Sequence, residues 1–123
     1  MRAFLLFIFI ATISACSPRQ RDCQRFKTGT FQFTARIDGV EETTVFRRTA
    51  DLEVSQFKGK TDSVSVRWIN PCEYIGTTLN PQSPGEEKPI HIKILSTTDN
   101  SYTFEYKRVG ESQAIRGTAF KTD

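Results

Sequence analysis

Beyond residue 28 the apolar side chains recur at every second position along most of the chain, and this alternation leaves little besides β-structure open to it. The stretch TFQFTARID puts Phe31, Phe33, Ala35 and Ile37 on one face and Thr30, Gln32, Thr34, Arg36 and Asp38 on the other. A strand of that kind belongs to an antiparallel sheet with one face on the core and one in water. Asp38-Gly39 then supplies a hairpin-turn signal. A second run, Glu42 to Thr49, holds Val45 and Phe46 but alternates less cleanly, and a third, Asp51 to Phe57, holds Leu52 and Val54.

Strict alternation returns after the turn KGKTD (Lys58 to Asp62). SVSVRWIN places Val64, Val66 and Trp68 on one face, and Asn70-Pro71 breaks it. CEYIGTTL follows as a strand. Asn80 to Pro89, with three of the five prolines, reads as one exposed loop. IHIKIL turns Ile90, Ile92 and Ile94 inward and His91 and Lys93 outward; YTFEYKRV puts Tyr102, Phe104 and Tyr106 on one face; AIRGTAFK closes the chain. About eight short strands at a spacing of roughly 8–12 residues predict an all-β fold. The short connections favour a small, curved antiparallel meander or barrel, lipocalin-like in architecture, with a two-layer β-sandwich as the alternative. No segment carries a helical stripe.

The N-terminus follows different rules. Arg2 precedes the apolar run FLLFIFIATI (Phe4 to Ile13), about ten residues long where a membrane-spanning helix needs about 20. Its length and flanks fit a secretory signal. The next residues, Ile13-Ser14-Ala15-Cys16, resemble the lipobox of bacterial lipoproteins in all four positions. The resemblance implies cleavage between Ala15 and Cys16, a diacylglyceryl group on the Cys16 sulfur and usually an acyl chain such as palmitate on the new amine. Two or more acyl chains anchor a protein stably without spanning the bilayer. The expected organisation is a signal peptide over 1–15, a lipidated cysteine and polar tether over 16–27, and one β domain over 28–123.

With Cys16 committed to lipid, Cys23 and Cys72 remain as an even pair in an exported chain. Either they form a bridge that closes a loop of about 50 residues, with a stabilisation of about 4 kcal/mol, or they are two separate half-buried thiols.

The residues argue against most chemistries. The single histidine, His91, lies on the outward face of its strand, so Cys72 has no partner to activate it as a nucleophile. There is no C-x-x-C and no zinc spacing, and no P-loop, G-x-S-x-G or G-x-G-x-x-G. Glu86 and Glu87 sit together in the loop, as solvated carboxylates do. The reading is therefore a protein without catalytic activity, metal or cofactor. Seventeen Lys and Arg stand against fourteen Asp and Glu, dispersed along the chain, with Arg47-Arg48 and Lys107-Arg108 among them. That balance gives no nucleic-acid footprint. The densest basic run, Arg19, Arg21, Arg25 and Lys27, could either lie on anionic headgroups or serve as a solvated tether.

The aromatic residues Phe31, Phe33, Trp68, Tyr102, Phe104 and Tyr106 are the most suggestive set. They read first as core, because eight short strands leave little interior to spare, and second as the lining of a barrel that takes a small apolar ligand. DCQRFKTGTFQF, VRWINPCEYI and KILSTTDNSYTFEY also resemble a family of small bacterial lipoproteins of unknown function, and the resemblance covers most of the chain after Cys16. It implies no catalytic role. Some sequences of this kind carry the label DNA topoisomerase IV. Such an enzyme is large and cytoplasmic, with an ATPase module and a DNA-cleaving tyrosine domain that 123 residues cannot house.

The function expected is a lipid-anchored binding or interaction module of the bacterial cell envelope, on the outer membrane and facing the periplasm. Its partners are the membrane and an envelope protein. The alternative is a carrier of a small apolar ligand in a barrel interior.

Overall fold

The computed structural model describes residues 21–123. The signal segment, Ala15, Cys16 and Arg19 lie outside the described residues. Eight antiparallel strands follow in chain order: β1 (Gly29–Ile37), β2 (Val40–Arg48), β3 (Leu52–Phe57), β4 (Lys60–Asn70), β5 (Glu73–Thr78), β6 (Ile90–Thr97), β7 (Ser101–Arg108) and β8 (Ile115–Lys121). Each pairs with the next, and β1 pairs with β8 from Phe31↔Lys121 to Phe33↔Ala119. The sheet is thus a closed meander barrel, as the alternation and short connections predict. Closure removes every free edge, which excludes the two-layer sandwich.

Two of the hairpins are two-residue turns. Asp38 (φ 51°) with Gly39 (φ 79°), and Lys58 (φ 49°) with Gly59 (φ 74°), both hold positive φ at successive positions, the geometry that matches strand twist. The second turn is shorter than the sequence suggests, since Lys60 already belongs to β4.

The directly opposed residues fix which side chains face in. Phe31 opposes Phe46, Arg48 opposes Glu53, Trp68 opposes Tyr74, Ile92 opposes Tyr106 and Tyr102 opposes Ala119. The inward positions Phe31 and Phe33 read from β1, and those read from β4, β6 and β7, are the observed ones. Outward positions carry Thr34, Thr43, Arg67, Lys93 and Arg116, the reverse of a barrel that meets lipid tails. Among the described residues no helix is long and apolar enough to cross a membrane.

The two ends of the barrel differ. At one end, here the base, the β2–β3, β4–β5 and β6–β7 turns meet the start of β1 and the end of β8. The other end, the mouth, carries the β1–β2, β3–β4 and β7–β8 connections and the long β5–β6 loop. Across the base runs a 3₁₀ turn, Cys23–Phe26. This corrects the expected tether over 16–27: Cys23 and Phe26 are buried in the same cluster as Phe31, Phe46, Ile94, Tyr102, Phe104 and Ala119. A turn of four residues is too short to show a helical period, so the sequence around it reads as polar linker.

Cys23 and Cys72 form a disulfide with a Cα–Cα distance of 5.2 Å. The bridge pins the turn to the β4–β5 corner. Polar contacts do the rest: Arg21 Nη1 donates to the Ile94 carbonyl at 2.8 Å, Arg25 Nη1 to the Asp99 carbonyl at 2.8 Å and Lys121 Nζ to the Arg25 carbonyl at 3.1 Å. Arg21 and Arg25 in the basic run are thus engaged in docking the plug.

Candidate functional site

The most unusual group in the molecule is Arg48, 1 % exposed inside the barrel. It continues the inward phase of Thr44 and Phe46 on β2. A buried cation is costly unless its donors are satisfied, and here they are. Nε donates to the Lys27 carbonyl at 3.3 Å. Nη2 donates to the Phe26 carbonyl at 3.2 Å and to Tyr102 Oη at 2.9 Å. Nη1 donates to Tyr74 Oη at 3.1 Å and pairs with Glu53 Oε2 at 3.4 Å. The guanidinium carbon also lies 4.8 Å from the Phe31 ring centre, 5.0 Å from Tyr74, 5.5 Å from Phe46, 5.7 Å from Tyr102 and 5.8 Å from Trp68. Ring faces at these distances attract a cation, the more so when it is desolvated.

Burial and charge act in opposite directions on these groups. Burial alone would weaken the hold of Arg48 on its proton, but Tyr74, Tyr102 and Glu53 together raise its pKa. Glu53 is pushed up, because burial outweighs the pull of Arg48 and the hydrogen bond from Tyr74. Both tyrosines are pushed up by burial as well. The cluster therefore contains no activated phenolate. Arg48 ties the carbonyls of the base plug to side chains on three strands.

Above this network, toward the mouth, the barrel is hollow. A cavity of about 380 Å³ is lined on one side by Phe33, Ile90, Ile92, Phe104 and Tyr106. On the other side stand Thr44, Glu53, Ser55, Asp62, Val64 and Thr78, and Tyr74 and Tyr102 close the floor. Its size lies within the ordinary range of small-molecule sites. Two glycines let the walls approach: a Cβ on Gly117 would collide with the Phe33 ring and stand 2.9 Å from Phe104 Cζ, and one on Gly76 would stand 2.8 Å from Val64 Cγ1.

The aromatic set divides between the two regions. Phe31 belongs to the filled base, and Trp68 is packed against it. Tyr102 and Phe104 belong both to the buried cluster and to the cavity wall, while Phe33 and Tyr106 are half-buried on the wall. The preference for core over pocket holds for the base and fails for the mouth, where the barrel does have interior to spare. Glu86 reaches the mouth, where its Oε2 accepts from the Gln82 amide, and Glu87 is exposed. His91 lies on the outer face, with Nε2 3.0 Å from Glu73 Oε1. Among the described residues no group of three or more His, Cys, Asp or Glu side chains is placed to hold a metal ion.

Arg48 and Glu53 are the site residues that sequence reasoning missed. Their signal was phase: each shares its strand face with residues that point inward. Comparison of the chain with protein-family models, with curated proteins and with solved structures finds no match.

Proposed function

We propose that the mature chain is a lipid-anchored protein of the bacterial envelope, without catalytic activity, that carries a small and largely apolar molecule inside its barrel. The cavity carries this reading: an aromatic and aliphatic wall around about 380 Å³, open at one end and closed by a polar floor at the other. The arrangement of the ends supports it. Six residues lie between Cys16 and Cys23, a reach of at most about 25 Å. A lipid on Cys16 would therefore hold the base toward the outer-membrane surface and leave the mouth facing the periplasm. Absence of catalysis is supported by the outward position of the one histidine and by tyrosines held in their neutral form.

A second reading, an envelope protein partner, draws on the mouth itself. Val40, Leu79, Val109 and Ile115, at the mouth ends of β2, β5, β7 and β8, are each about half exposed. A partner that delivers or receives the cargo would meet this rim.

Mass spectrometry of the protein extracted from bacterial membranes tests the proposal. The expected result is a diacylglyceryl mass on Cys16 and a small molecule released from the native protein on unfolding. Ser55→Trp, which fills the cavity from β3, is expected to keep the lipid and lose the molecule. A wild-type protein with no lipid, or cargo that survives Ser55→Trp unchanged, overturns the corresponding half.

A further inference from the structure

We infer that the cavity selects a small amphiphile headed by an ammonium group, with its tail against the aromatic wall and its head toward Glu53 and Asp62. This rests on the carrier reading above and sharpens it. The two sides of the cavity differ in kind. Strands β6, β7 and β1 contribute Ile90, Ile92, Phe104, Tyr106 and Phe33, whereas Thr44, Glu53, Ser55, Asp62 and Thr78 on β2 to β5 add hydroxyls and carboxylates beside Phe46 and Val64. Ser55 and Asp62 are directly opposed on β3 and β4, and Glu53 lies one inward position deeper on β3.

Glu53 is the member of the buried network that still faces the cavity. Its Oε2 takes both the Tyr74 hydroxyl at 3.1 Å and Arg48 Nη1 at 3.4 Å. Its Oε1 accepts no hydrogen bond from any described residue, and the side chain keeps 18 % exposure. Arg48 itself is shut away. Tyr74 and Tyr102 line the floor while the guanidinium does not, and its own exposure is 0 %. An anionic head at the floor would therefore meet a carboxylate and two phenols, with the cation behind them out of reach. An ammonium head would meet a free carboxylate oxygen, with aromatic rings nearby. Glu53 spends one oxygen on Arg48 and Tyr74 and turns the other toward the cavity.

The basic groups of the lining, Lys88 and Arg108, stand at the mouth. Lys88 pairs with Glu111 at 3.5 Å, and Arg108 opposes Ile90 at the last register position of β6 and β7. They border the opening and leave the floor to the carboxylates. The volume sets the size. At about 30 Å³ for each water-sized group, the cavity holds roughly a dozen heavy atoms, which is the scale of a medium-chain or aryl-alkyl amine.

The test is calorimetric titration of the folded wild-type protein at pH 7 with octylammonium, octanol and octanoate, three ligands that share one tail. Octylammonium is expected to bind about ten-fold or more tighter than octanol, the scale of one charge-assisted hydrogen bond, and octanoate not to bind measurably. Glu53→Gln is expected to remove that preference. Asp62→Asn, at an exposed position of β4, is expected to reduce it. If the three ligands bind equally, or octanoate binds best, the ammonium inference is wrong and the carrier reading stands. If none binds to the folded protein, both fall.

Discussion

At the base of the barrel every inward side chain meets another, whereas at the mouth the same alternation encloses a cavity. Pairing differs at one seam, where β1 meets β8 only from Phe31 to Phe33. Side-chain size and one inserted segment differ as well. The inward residues toward the base are Phe31, Phe46, Trp68, Ile94 and Tyr102, and Phe26 is added to them from outside the sheet. The inward residues toward the mouth include Thr44, Ser55, Asp62 and Thr78, which are short. A closed eight-stranded barrel has just enough interior for side chains to fill it. Large residues plus a plug fill one half, and small polar ones leave the other open. The disulfide and most of the fully buried side chains thus lie at the base, away from the cavity.

The largest expected effect comes from removing the cation that joins the two halves. Arg48→Met strips partners from Glu53, Tyr74, Tyr102 and the carbonyls of Phe26 and Lys27 together. Breaking a buried ion pair from one side costs about 3–5 kcal/mol, to be read as a lowered urea midpoint. Arg48→Met with Glu53→Met is expected to cost less than the sum of the two single changes, because the pair is removed whole. Additive costs would mean that the network is not coupled and that the base owes its stability to packing alone.

Second in size is the staple. Cys23→Ala with Cys72→Ala is expected to lower stability by about 2–4 kcal/mol, as for a typical bridge over a loop of this length. The comparison predicts where the loss acts. Hydrogen exchange should quicken at the base, in Phe26 and Lys27 and at the start of β1, and remain unchanged around Ser55 and Tyr106. Equal acceleration at both ends would show that the barrel opens as one unit and that the base is no separate anchor of stability.

The outer logic of the fold was legible because it is local. Phe31 and Phe33, Val64 to Trp68, Ile90 to Ile94, and Tyr102 to Tyr106 each display their inward face within a few residues. The expectation of export and of lipid on Cys16 left Cys23 and Cys72 as an even pair, while their geometry had to come from the fold. Arg48 was hidden for a physical reason. Beside Arg47 it looks like one of many dispersed surface charges. The partners that make its burial tolerable come from the base turn, β3, β5 and β7, which no local pattern brings together. The cavity was hidden in the same way. Alternation says which side chains point inward, and only their summed volume against the barrel radius says whether they meet.

The smallest effect contrasts two glutamates on opposite faces of the sheet. Inside, Glu53 is raised above its ordinary value of 4.5 by burial. Outside, Glu73 is lowered below the same value by the hydrogen bond from Asn70 Nδ2, with His91 and Lys93 adding to it. The signs are opposite. For Glu73 the folded state holds the proton less tightly, so its contribution is present above pH 4.5 and is lost as pH falls through the lower folded value. For Glu53 the folded state holds the proton more tightly. Stability from that group therefore declines as pH rises from 4.5 to the higher folded value, and is level beyond it. Urea midpoints measured across this range should separate the two: Glu73→Gln flattens the acid side below pH 4.5, and Glu53→Gln flattens the decline above it. The Glu73 effect is the smaller, since water screens that group. If both substitutions flatten the same side, the inside and the outside of the barrel do not hold their carboxylates in opposite ways.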